Sequence, residues 1–197
     1  NYWNKIGGYN IMTIRSARTE DAAAASKLLY DALHDIAHQL TGEDSKEGAV
    51  RVLEQFFREH EGRLSHKQAA VKEIEGKAAG IIVAYGGDQA SELDRPIIER
   101  LRRLKHDDTL TLDKEADVDE YYIDTLSVSP ALGGQGIGSA LISYMEERAR
   151  ELGYGKIALA VVQGNERAFA LYERRGYATD KEIMINGHVY RHMVKLL

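Results

Sequence analysis

Between Tyr121 and Leu152 the chain passes from a β-patterned stretch, YYIDTLSV, through Ser129-Pro130 into PALGGQGIGSAL and then into an amphipathic helix. The glycines Gly133, Gly134, Gly136 and Gly138 constrain the fold more than any other feature of the sequence. Glycine tolerates the left-handed backbone that a tight strand-to-helix turn requires, and such a turn aims successive N–H groups outward at the positive end of the helix dipole. The spacing allows either a tight turn without a ligand or an anion site made of backbone donors at residues 134 to 139, of a size to take a pyrophosphate. Two familiar phosphate loops do not fit. With Gly134 and Gly136 as the first pair, G-x-G-x-x-G requires a third glycine where Ser139 stands, and no G-x-x-x-x-G-K-[ST] occurs.

Hydrophobic periodicity supplies the rest of the frame. A short strand near Met12 to Arg15 precedes a helix capped by Thr19, with Ala22, Ala25, Leu29, Ala32, Leu33, Ile36 and Leu40 on one face. A second helix spans roughly 46–59, and strands at about 68–74 and 77–85 form a hairpin around Glu75-Gly76. After the helix that ends at Gly153 come a strand from Lys156, a helix reaching Arg175, and two strands near 177–185 and 188–196 hinged at Asn186-Gly187. This order predicts an α/β fold with a mixed, mostly antiparallel central sheet and helices on both faces.

Composition narrows the function. At 197 residues the chain fits one domain, expected at 12–197, with residues 1–11 an N-terminal arm or a leader foreign to the domain. The absence of cysteine excludes disulfides, thiolate metal sites and a cysteine nucleophile, and with no signal-peptide pattern in residues 1–11 a cytoplasmic location is expected. No apolar run approaches the ~18 residues of a membrane span, and a net charge of -5 does not advertise a nucleic-acid partner. Residues 86–119 break the pattern with ten acidic and six basic residues, -4 of that charge, around a helix after Pro96.

Two blocks carry a family resemblance. Leu126-Ser127-Val128 followed by Gly133, Gly134, Gln135, Gly136, Ile137 and Gly138 resembles the acetyl-CoA loop of the GCN5-related N-acetyltransferases, [QR]-x-x-G-x-[GA] after a strand ending L-x-V. Gly133 replaces the usual Gln or Arg. Asn165, Ala168, Leu171-Tyr172-Glu173 and Gly176-Tyr177 are similar to the family's N-x-x-A-x-x-L-Y-x-x-x-G-[FY] block. The resemblance implies a sheet splayed between residues 121–128 and 157–162 to admit the pantetheine arm of acetyl-CoA, which pairs with the backbone of Leu126 and Val128. It also implies direct attack by an amine on the thioester, without a metal. Ser139, Asn165, Ala168 and Tyr172 would complete the cofactor contacts, and Asn165 is also expected to cap the helix that follows it.

Among the candidate catalytic groups, Tyr172 falls where the family often keeps a tyrosine near the thioester sulfur. A phenol of pKa ~10 can hydrogen-bond or protonate a thiol leaving group of pKa ~8.5. The alternative is an aromatic that packs its helix. An ammonium of pKa ~10.4 must shed a proton before it attacks, and Asp124 is the chosen base, with Glu120 in reserve. By alternation Asp124 shares a face with Tyr122, Leu126 and Val128 unless a bulge intervenes. The alternative is an Asp that satisfies backbone or a tyrosine.

The stretch His34-Asp35-Ile36-Ala37-His38 is zincin-like, but without a third ligand it reads as a solvated face or an acceptor-site rim. His188 and His192, about 13 Å apart on one strand, cannot share a metal and are expected at the surface or in the hairpin. The expected function is acetyl transfer to a small-molecule or peptide amine, with a non-catalytic acyl-CoA-binding module as the alternative. The acidic insertion is expected to favour cationic acceptors, or else to be a solvated flap or a dimer contact that presents Ile97, Ile98, Leu101 and Leu104 to a second copy of the chain.

Overall fold

A computed structural model describes residues 13–197; the arm expected at 1–11 and Met12 lie outside the described residues. Thirteen main elements follow one another: β1 (Thr13–Ser16), α1 (Ala22–Leu33), α2 (Asp35–Thr41), α3 (Lys46–Arg58), β2 (Ala69–Ile74), β3 (Lys77–Gly86), α4 (Ala90–Lys105), β4 (Tyr121–Val128), α5 (Ile137–Glu151), β5 (Lys156–Val162), α6 (Glu166–Arg174), β6 (Ala178–Ile185) and β7 (His188–Leu196). They build one sheet in the order β1-β2-β3-β4-β5-β7-β6, antiparallel at every contact except β4 with β5.

Alternation along β3 divides the core. Ile81 and Val83 pack with Leu29, Leu53 and Phe57 beneath α1 and α3, while Ile82 and Ala84 pack with Leu141, Ile142 and Met145 of α5. Tyr85 continues the first face, where Tyr122, Ala158 and Ala116 join it. Helices therefore cover both sides of the sheet, and β3 is buried from Ala79 to Gly86.

Two irregularities make room for a site. Strands β4 and β5 pair only over Tyr121–Ile123 and Ile157–Leu159, so from Asp124 onward the two parallel strands have no partner on their facing edges. The peptide groups on those edges are left for something other than the sheet. The second is a bulge at Asp124, since Val83 faces Thr125 and Ala84 faces Ile123. It overturns the expected parity. The extra residue puts Leu126 and Val128 on the α5 face with Tyr121 and Ile123, while Asp124 turns toward Tyr85 on the other.

The single helix expected from Thr19 to Leu40 breaks at His34, whose φ of 48° and ψ of -117° separate α1 from α2. Its apolar face has two destinations: α1 lies on β3 and β4, whereas α2 lies on α3 and α4. The helix expected after Pro96, from Ile97, begins seven residues earlier, at Ala90, with Pro96 inside it. Its Ile97 and Leu101 are buried in this chain's own core, so the face expected to meet a second copy is used internally and only Leu104 of that pair of turns stays exposed.

Candidate active site

The glycine loop forms as expected at the backbone. Gly134 and Gly136 have φ of 79° and 76°, and Gly136 sits at the start of α5 with no side-chain cap. The first intrahelical bond here runs from Ala140 N–H to Gly136 O, which leaves the N–H groups of Ile137, Gly138 and Ser139 without helical acceptors. A Cβ on Gly134 or Gly136 would meet no atom within 4 Å, so the loop is open at both glycines. Gly133 has an ordinary φ of -59°, so its departure from Gln or Arg is not imposed by the backbone. Gln135 is exposed.

Strand β4 leads from this loop to a cavity. A Cβ at Gly138 would stand 3.8 Å from Leu126 Cδ2 and 3.9 Å from Val128 Cγ2, and Leu126 also lines a cavity of about 500 Å³. That cavity fills the gap where β4 and β5 part. Its walls are Ile123–Leu126 of β4, Leu159–Val162 of β5, Asn165, Ala168 and Tyr172 of the α6 region, His34 and Asp35 at the α1–α2 break, and Asn186, His188 and Tyr190 of the last hairpin. Ser127 faces away and is buried, and Val128 and residues 133–139 adjoin the cavity without lining it.

Asn165 caps α6, its Oδ1 accepting from Ala168 N–H at 3.2 Å. Tyr172, one turn further, packs edge-on to Tyr177 at 5.8 Å, and its hydroxyl has no hydrogen-bond partner among the described residues. Burial pushes its phenol up to about 12. At neutral pH Tyr172 therefore carries its proton and offers a donor to the cavity.

Asp124 enters the cavity wall with its carboxylate turned inward, the side chain 1% exposed. Oδ2 accepts from Arg63 Nε at 2.8 Å and from the Tyr85 hydroxyl at 2.7 Å, with Arg63 Nη2 at 2.6 Å; Oδ1 accepts from Thr125 Oγ1 at 2.7 Å. Arg63 is itself 3% exposed and also holds Asp94 at 3.2 Å and Glu115 at 2.7 Å. Three carboxylates thus share one guanidinium. Burial, strengthened by Asp124 and only partly offset by Arg63, raises both Asp94 and Glu115 above their ordinary values. Arg63 and its two insertion partners escaped the sequence reading. The one sign was an Asp inside an otherwise apolar central strand, which demands a buried partner without saying which.

The remaining candidates lie elsewhere. Glu120 is fully buried and away from the cavity, where His192, expected at the surface, is also fully buried between two carboxylates. His192 Nε2 lies 2.9 Å from Glu120 and Nδ1 2.5 Å from Asp180. A bulge between Thr179 and Lys181 turns Asp180 toward the ring. His34 and His38 share no helical face because the helix breaks between them, and both nitrogens of His38 are committed, to Tyr30 Oη at 3.0 Å and Glu43 O at 2.7 Å. His34 joins the cavity rim.

A parted β4–β5 pair with a glycine-lined helix start at one end defines a class, and comparison with known proteins agrees. The Acetyltransferase (GNAT) family matches residues 30–177, and the chain belongs to that family of enzymes. A solved acetyltransferase is 29% identical with a TM-score of 0.78, over 93% of this chain and 98% of that one. An N-acetyltransferase from Staphylococcus aureus Mu50 is 27% identical with the same TM-score, over 92% and 99%. The thialysine N-epsilon-acetyltransferase of Bos taurus is 40% identical over 55 residues, 28% of this chain and 32% of that protein. The matched stretches span less than two fifths of the curated relatives.

Proposed function

We propose that the chain transfers an acetyl group from acetyl-CoA directly to a primary amine of a small molecule or peptide. The observation that carries this reading is the gap beyond Ile123 and Leu159, with an unpartnered, protonated Tyr172 facing it. The residues present fit the cosubstrate: free N–H groups of residues 137–139 suit a pyrophosphate, and the unpaired edge of β4 at Leu126 and Val128 suits an amide-bearing arm. Acetyl-CoA supplies the activated acyl thioester. Holding both reactants in one cleft is worth effective molarities of about 10⁵ to 10⁸ M, so the chain's main contribution is position.

Tyr172 donates to the sulfur as negative charge gathers there. The proton shed by the amine goes to Thr125 Oγ1, a cavity-wall group, while the Thr125 hydroxyl proton moves along its 2.7 Å bond to Asp124 Oδ1. Arg63 and Tyr85 keep that carboxylate in place. Thiol release from acetyl-CoA across cationic, neutral and anionic amines, with the N-acetyl product identified by mass, tests the reading. Tight acetyl-CoA binding without product for any amine would favour a binding module instead.

A further inference from the structure

The order β4-β5-β7-β6 puts two strands between β4 and β6, and β4 and β5 are apart where the cavity opens. The sheet therefore ties Asp124 to the tip of the last hairpin only through the three β4–β5 pairs at the far end of the gap. Something else spans it. Residues 110–116, an irregular piece of the insertion, run between the two walls and are held at both by carboxylates.

Asp113 Oδ2 accepts from Asn186 N–H at 2.8 Å, gripping the hairpin at a residue whose φ is 49° and whose neighbours His188 and Tyr190 line the cavity with it. Two residues on, Glu115 faces the other way. Its Oε1 lies 2.7 Å from Arg63 Nη2, the same nitrogen that stands 2.6 Å from Asp124, and its Oε2 accepts from the Tyr122 hydroxyl at 2.9 Å. Asp117 then returns to the hairpin strand, 2.6 Å from Lys181 Nζ. We infer that this segment is a strut that sets the acceptor end of the cavity, with Asp113 and Glu115 as positioning residues for the incoming amine. This rests on the acetyl-transfer reading above.

The strut touches the acceptor end and not the glycine loop, so its loss should divide the two substrates. Asp113→Ala removes the acceptor of the Asn186 N–H, whereas Asp113→Asn keeps an oxygen there. Losing a hydrogen bond to a charged group at an exposed site predicts a rise of up to about tenfold in KM for the amine, with KM for acetyl-CoA within about twofold of wild type. Asp113→Asn should restore most of it. Amide exchange at Asn186, followed by mass spectrometry or NMR in the same folded variants, should quicken by about tenfold in Asp113→Ala and reads the strut whether or not an acceptor is found. Unchanged exchange would remove the strut. Faster exchange with an unchanged amine KM, or an equal rise in both KM values, would remove its acceptor role. A wild-type protein that binds acetyl-CoA yet acetylates no amine would overturn the functional reading and the acceptor role together, leaving the exchange result to stand on its own.

Discussion

Tyr172→Phe deletes one oxygen and leaves the ring that packs against Tyr177. The size of the loss follows from where the phenol sits. With burial pushing Tyr172 up to about 12 and a free thiol near ~8.5, full proton transfer to the leaving sulfur would be uphill by ~5 kcal/mol. Tyr172 therefore donates a hydrogen bond to the growing charge and keeps its proton through the transition state. A hydrogen bond to a charged group contributes ~1.5–3 kcal/mol, so kcat should fall by roughly 10¹ to 10² with acetyl-CoA affinity unchanged. Steady-state thiol release measures the first and calorimetry the second. An acyl donor with a more acidic thiol needs the bond less, and the penalty of Tyr172→Phe should shrink with it. A variant that loses less than about threefold, or a penalty indifferent to thiol acidity, would refute this role.

Three further outcomes follow from the geometry. Gly136→Val places a β-branched side chain at φ 76° in the open concavity, costing ~1–2 kcal/mol of local strain, and should abolish acetyl-CoA binding in a folded protein; unchanged calorimetric affinity would refute the loop's role. Asp124→Asn should slow transfer by about 10² or more at neutral pH and recover as pH nears the ~10.4 of the amine, and a pH–rate profile that does not change would move the base elsewhere. Burial works to lower the His192 imidazolium, but hydrogen bonds and charge from Glu120 and Asp180 outweigh it and raise the ring above 6.5. Its contribution to stability is therefore full below about 6.5 and lost as pH rises through the folded value, so the gap in urea midpoint between wild type and His192→Gln should narrow as pH rises above about 6.5.

The elements that periodicity located are the ones whose burial alternates or repeats cleanly. Strand 121–128 and the starts of the second helix and α5 fall where the sequence puts them, because Ser45 caps one, Gly136 opens the other, and nothing tertiary contests them. The glycine loop and Asn165 were legible for the same reason: backbone conformation and capping are local properties. The site's interior was not. The bulge at Asp124 depends on how β3 registers against β4, and a one-residue offset there moves Leu126 and Val128 to the opposite face from Asp124. Arg63 stands 61 positions before the Asp that it holds, in a loop with no periodicity of its own.

The acidic insertion, expected from its charge to favour cationic acceptors, holds most of its carboxylates against partners within the fold. Summed, its -4 suggests a field that draws cations from solution, which is a property of unpaired surface charge. Most of these carboxylates have partners at hand. Asp88 accepts from Tyr154, Glu92 and Glu99 meet Arg95, Asp94 and Glu115 meet Arg63, and Asp107 accepts from Thr109. Asp113 holds Asn186, Asp117 holds Lys181 and Asp119 holds Lys156. A carboxylate paired with a cation acts over a few ångströms by fixing its partner while its far field is largely cancelled, whereas Asp88, Asp107 and Asp113, bonded to neutral donors, fix their partners and keep their charge. Any preference for the acceptor that arises here should then survive a rise in salt, because it comes from where Asp124 and the hairpin tip are held. A preference that vanishes with salt would instead restore the long-range reading and leave the strut no part in selecting the amine.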